Sequence, residues 1–203
     1  VIPAPPPPEA LPANVAAIVA QVPDRGAEHG GVTTTKEFHH ALVQVAAERG
    51  RHPAPKPGDS GYRKLQHAAI GQQLDESWIR GQAAEMGIGL RSRGVTRELA
   101  YLKKRAFKNG AQYRQFLREA HFTRRDVRDR VEVQIFSERI QEAIVAGLTN
   151  VKARQKAFDK FIREYDERWR ARTVCATGHV TVRCSNGPTP RGPERLAVFQ
   201  GRP

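Results

Sequence analysis

The sequence predicts a mostly α-helical protein with a short N-terminal strand pair and a small C-terminal β-hairpin-like segment. Three observations carry that expectation. Helical apolar spacing recurs from Thr34 to Arg172. Capping signals stand at the starts of those stretches. β-prone runs without that period occur only near the two ends, at NVAAIVAQV (14–22) and TVCATGHVTVRCSNG (173–187).

Along the chain, residues 1–13 (VIPAPPPPEALPA) read as a Pro-rich, semi-extended spacer. Asn14 to Val22 is compatible with a strand; the turn-rich PDRGAEHGG follows, and then Val32. Thr34 and Glu37 have the spacing of a capping box and open a helix whose apolar stripe is Phe38, Leu42 and Val45. That helix ends near Gly50, and RHPAPKPGD is kept out of helix by Pro53, Pro55 and Pro57. A long helix is expected from about Ser60 to Met86, with Tyr62, Leu65, Ala69, Leu74, Trp78 and Ile79 inward. Gly71 and Gly81 weaken it locally, Gly87 stops it, and Ile88 is placed to pack back on the last turn. Ser92 is expected to cap the next helix, with Val95, Leu99 and Leu102 on its core face.

After the Asn109-Gly110 break comes a short amphipathic helix carrying Tyr113, Phe116 and Leu117, then a second break at Ala120-His121-Phe122. Thr123 with Asp126 opens a longer helix whose stripe is Val127, Val131, Ile135, Ile140 and Ile144. Thr149 or Asn150 caps a last helix to about Arg172, where Phe158, Phe161, Ile162, Tyr165 and Trp169 form a wide aromatic stripe. The expected organisation is a helical domain over 14–184, its C-terminal helix (150–172) packing back and its Cys-containing segment at 173–184. A Gly/Pro-rich, disordered tail over 185–203 completes it.

At 203 residues, with 39% hydrophobic and 27% charged residues, the chain suits one domain with tails and a thin core. No apolar run of membrane-spanning length occurs. The opening residues lack the regions of a signal peptide, so a targeting segment that preceded Val1 stays open. Net charge is +13, and residues 91–130 hold thirteen Lys/Arg against four Asp/Glu. Such a field attracts anionic partners (nucleic acid, anionic lipid or acidic polypeptide), unless it is simply a solvated helical surface. Cys175 and Cys184 have too few neighbouring ligands for zinc and read better as a disulfide. A tight turn at Thr177-Gly178 would pair Cys175 with Val180, so a bond to Cys184 needs a wider loop, centred nearer His179-Val180.

The motifs of common chemistries are missing from the sequence. No HExxH, second CxxC-type pair, Asp-rich calcium loop, phosphate loop or G-x-S-x-G elbow occurs, and the seven histidines are scattered. No catalytic residue, metal site or cofactor is expected.

The succession VAAIVAQV, GVTTTKEF, PKPGDSGYRKLQHAAIGQQLDESWIRGQAAEMGI, VTRELAYLKKRAF, YRQFLREAHFTRRDVRDRVEVQIFSERI (residues 14–146) resembles the N-terminal chaperone domain of SurA-type and PrsA-type extracytoplasmic foldases. The individual motifs are degenerate, and the resemblance lies in their order. It implies a trigger-factor-like helical chaperone fold and an ATP-independent activity that binds unfolded or newly exported polypeptides outside the cytoplasm. Family members commonly insert a parvulin prolyl isomerase domain after the helix ending near Ile144. Here the chain runs within a few residues into ARQKAFDKFIREYDERWRARTVC, which is similar to the helix after that insert, down to Trp169, Thr173 and Cys175. Isomerase activity would then follow from family relationship only. On this reading client contacts fall to Trp78, Phe107, Tyr113, Phe116 and Phe122, rimmed by Arg114, Arg118, Arg124 and Arg125. An anionic membrane surface is a further partner to consider. Nucleic acid is disfavoured, because no reading helix or aromatic stacking platform is evident.

Overall fold

The computed structural model describes residues 11–24 and 30–189. Most of the 1–13 spacer and of the 185–203 tail therefore lies outside the described residues. Within them the protein is mostly helical, with six helices and one small three-stranded antiparallel sheet. The elements in chain order are β1 (Val15–Val19), β2 (Val32–Thr34), α1 (Thr35–Glu48), α2 (Tyr62–Glu85), α3 (Ser92–Ala106), α4 (Gly110–Glu119), α5 (Arg124–Val145), α6 (Val151–Ala171) and β3 (Thr173–Cys175).

β1 is the middle strand, pairing Ala17 with Thr33 on one side and with Cys175 on the other. Among the described residues the first and last strands thus lie side by side. The expected N-terminal strand pair is present, whereas the C-terminal hairpin is not. The second β-prone segment, Val180–Val182, forms no strand. Sequence alone cannot distinguish a β-branched run that pairs locally from one whose neighbour pairs across the whole chain.

Both capping boxes form. The Thr34 hydroxyl accepts from the Glu37 amide while the Glu37 carboxylate accepts from the Thr34 amide, and Thr123 and Asp126 repeat the arrangement at α5. Each box satisfies two amides that a helix start leaves without partners. Asn109 and Asn150 cap α4 and α6 through their side-chain oxygens. At α3 the expectation shifts by one residue: the N-cap is Arg91, without a side-chain cap, and Ser92 is already helical. The end of α2 is as expected. Gly87 adopts φ +65°, the Ile88 amide bonds Ala83 O at 2.8 Å, and Ile88 packs on the core.

α2 is the central helix and packs against α1, α5 and β1. It buries Leu65, Ala69, Ile70, Leu74, Trp78 and Ile79, and its polar Asp75, Arg80 and Gln82 are buried as well. Gly81 is a close-packing position: a Cβ there would overlap the Trp169 ring. The two tryptophans are anchored by hydrogen bonds. Trp78 Nε1 donates to Thr173 Oγ1 at 2.8 Å, and Trp169 Nε1 donates to Gln82 Oε1 at 3.1 Å. Tyr165 lies edge-on to Trp78. Burial pushes the Tyr165 phenol well above its usual range, as does the nearby Asp166 charge, with Arg168 opposing both.

Cys175 and Cys184 are bonded and fully buried. The wider loop that the bond requires is made of two successive turns, at Thr177-Gly178 and at Val182-Arg183, instead of one hairpin. The His179 amide bonds Ala176 O, and the Cys184 amide bonds Thr181 O. The boundary expected at Ser185 moves outward. Ser185 bonds Thr173 O through its amide and its hydroxyl, and the Asn186 side chain both donates to Cys175 O and accepts from the Cys175 amide. This C-terminal loop is strapped onto α2 by an Arg183–Asp75 ion pair and a Gln66–Gly178 hydrogen bond.

Candidate functional site

α3 meets the body chiefly through α5. Val95 is buried there, and Arg128 of α5 donates to the hydroxyls of Thr96 and Ser92. Because α2 packs on the same helix, a trench of about 1180 Å³ opens between α2, α3, α5 and the 181–183 loop. Ala68, Leu102, Val133 and Val182 give it apolar surface. Gln72, Gln134, Ser137 and Gln141 give hydrogen-bonding groups, and Glu98 and Arg105 charge its α3 wall. Tyr101 stands at that wall 52% exposed, its hydroxyl accepting from Arg105 Nη1 at 3.1 Å.

A second cleft, of about 570 Å³, lies beyond Gln72, Glu76 and Arg130, which line both. Most of the residues that line it are polar or charged. His40 Nε2 is 2.9 Å from Asp126 Oδ2, the oxygen that also accepts from Gln44 Nε2 and the Thr123 amide. Burial alone would raise the Asp126 carboxyl. The bonds from His40 and Thr123 outweigh it and hold the group below its usual range. Arg80 is paired with Glu132 and Asp129, and Arg130 with Glu48. Glu76 goes the other way: burial raises its carboxyl, against the pull of Arg80, Arg130 and Gln72. The Thr34 hydroxyl, which also lines the cleft, is engaged with Glu37. Among the described residues no group of His, Cys, Asp and Glu could hold a metal ion.

The five residues expected to contact a client do not form one surface. Trp78 is 2% exposed and hydrogen-bonded inside the core, so it is a packing residue. Phe107, Tyr113, Phe116 and Phe122 do come together, with successive ring centroids 5.3–5.6 Å apart. Their contacts make a small core where α3, α4 and α5 join. Tyr113 and Phe122 are buried in it, capped by Lys103 and Arg130 over their ring faces, while Phe107 and Phe116 are half-buried. Burial raises the Tyr113 phenol, with Arg124 acting against it. Of the residues expected to form a basic rim, Arg114, Arg118, Arg124 and Arg125 are exposed, and Arg125 pairs with Asp129 at 3.6 Å.

Sequence reasoning missed the trench itself, because its lining comes from four separated segments. The one signal within reach was Tyr101, an aromatic side chain off the Val95–Leu99–Leu102 stripe and therefore outside the helix's packing face. No helix among the described residues is long and apolar enough to cross a membrane. The disulfide points to an oxidising compartment. Comparisons with family models, curated proteins and solved structures each return no match to this chain.

Proposed function

We propose that the protein is an ATP-independent, chaperone-like holder of unfolded or newly exported polypeptides, working outside the cytoplasm. The observation that carries this reading is the open trench between α2, α3 and α5. It is large enough for several residues of an extended chain, and it offers apolar patches beside amide and hydroxyl groups that can serve a peptide backbone. Such a mixed, shallow lining favours weak, sequence-tolerant binding over selection of one ligand. The order of sequence motifs resembling SurA-type and PrsA-type chaperone domains supports the same reading, and the disulfide supports the compartment. Only residues 146–150 separate α5 from α6, so no parvulin domain is inserted at that point and holding is proposed without isomerisation.

The test is suppression of aggregation of a chemically unfolded, reduced client by the full chain at low and raised salt. Suppression is expected, weakening in the double variant Tyr101→Ser, Val182→Ser, whose helix content and melting temperature should be unchanged. If light-scattering curves with and without the protein superimpose at every salt concentration, the reading fails.

A further inference from the structure

The outward side of α3 carries a row of cations that holding a client does not require. At 100° per residue, Arg93, Arg97 and Lys104 fall within about 40° of one another and Tyr101 within about 80°. Val95, Leu99 and Leu102 occupy the opposite side, which meets α5. The side chains agree with that geometry: Arg93, Arg97, Tyr101 and Lys104 are exposed, Val95 is buried, and Leu99 and Leu102 are half-buried. None of the three cations has an ion-pair partner among the described residues. Glu98, the only carboxylate on α3, is turned toward the trench. The result is a straight cationic line about 16 Å long with an aromatic ring beside it.

We propose that this outer face of α3 docks the protein on an anionic lipid surface. Charge complementarity is the first argument, since a line of unpaired cations with no carboxylate among them is matched by a plane of anionic headgroups. The exposed ring is the second. A tyrosine side chain is amphipathic and favours the headgroup region, and Arg105, which donates to its hydroxyl, holds this one in place. The compartment is the third. The buried disulfide supports an oxidising compartment outside the cytoplasm, bounded by membrane surface. Docking through α3 would set the trench, whose wall is the flank of the same helix, beside the membrane.

The experiment is sedimentation of the full chain with vesicles of phosphatidylcholine alone, or containing about one-third phosphatidylglycerol, at low salt and at about 0.5 M salt. Binding is expected only with the anionic lipid at low salt. Near an anionic surface each Lys or Arg contributes a factor of about five in partitioning. The triple variant Arg93→Gln, Arg97→Gln, Lys104→Gln should therefore lose roughly a hundredfold. A control of equal charge change on exposed cations of α6, Lys152→Gln, Lys156→Gln, Arg163→Gln, should stay close to the parent. All six positions are exposed, and Arg97→Glu alone serves as a second, smaller perturbation.

Equal losses in both triples would reduce the effect to net charge and overturn the proposal. Equal binding to neutral vesicles would overturn it as well. So would binding to a duplex oligonucleotide without binding to vesicles, which would give the face to nucleic acid. Client holding is measured without lipid, so failure of one reading leaves the other standing.

Discussion

Glu76 sits where the two clefts meet, and its environment makes a definite statement about pH. Its folded-state carboxyl is raised above the ordinary value of 4.5 because burial disfavours the charged form more than Arg80 and Arg130 favour it. A raised acid is most favourable to the fold while protonated. Its contribution is fully present below the unfolded pKa and is lost as pH rises through the folded one. Glu76→Gln should therefore raise the melting temperature at neutral pH, with the gain shrinking to nothing below about pH 4. A pH series of thermal melts on both proteins checks this, and an equal or lower melting temperature for the variant at pH 7 would refute it. Asp126 has the opposite sign. Its lowered carboxyl supports the fold above the unfolded pKa, and that support disappears on acidification. The same scale shows what sequence could and could not tell. The Thr34–Glu37 and Thr123–Asp126 boxes were legible because a cap is a local contract between residues three apart. Trp78 was legible as inward on α2 but was also read as a client contact, and the packing role of Gly81 was not legible. An apolar side chain on a helix face looks the same whether it meets a core or a client, and a glycine that makes room for Trp169 looks like a weak point in a helix.

Among the elements, α2 was legible in its extent and in the inward Leu65, Ala69, Leu74, Trp78 and Ile79 but not in how many sides it buries, and the path of the C-terminal loop was not legible. α2 is buried on several sides, against α1, α5, β1 and Trp169, so its sequence mixes glycine and polar residues with apolar ones and shows only a faint one-sided pattern. The loop from Ala176 to Gly187 has no period at all, because turns and the disulfide hold it instead of a ladder. The bond closes a loop with a sequence separation of 9, for which chain entropy alone suggests about 2.5 kcal/mol of stability. The double variant Cys175→Ala, Cys184→Ala should accordingly lower the urea midpoint. Reductant should shift the parent toward the variant and leave the variant unmoved. An unchanged midpoint in the variant would mean that the Arg183–Asp75 pair and the Ser185 and Asn186 bonds to β3 hold the loop unaided. By contrast α3, with one packed side and one free side, declares the packed one in its sequence as Val95, Leu99 and Leu102.

At the scale of the whole molecule the trench and the cationic face share one helix. α3 is a wall on one flank and a surface on another, and its attachment runs mainly through α5. The helical class and the order of the helices were legible in the sequence because period and caps are local signals. Closure of the sheet was not, since β3 pairs with a strand more than 150 residues earlier in the chain. That pairing imposes an order of events. A chain delivered amino-terminus first, from a ribosome or through an export pore, must hold β1 with one edge open until Thr173–Cys175 emerges. Trp78 waits for its Thr173 partner over the same interval. An unpaired edge is a template for other strands, so the unfinished protein is itself in need of shelter. A chain ending at Ala171 should show no cooperative near-ultraviolet melt of its tryptophans, whereas one ending at Thr189 should melt like the full protein. A sharp melt of the shorter chain would mean that the helices complete the fold without the last strand.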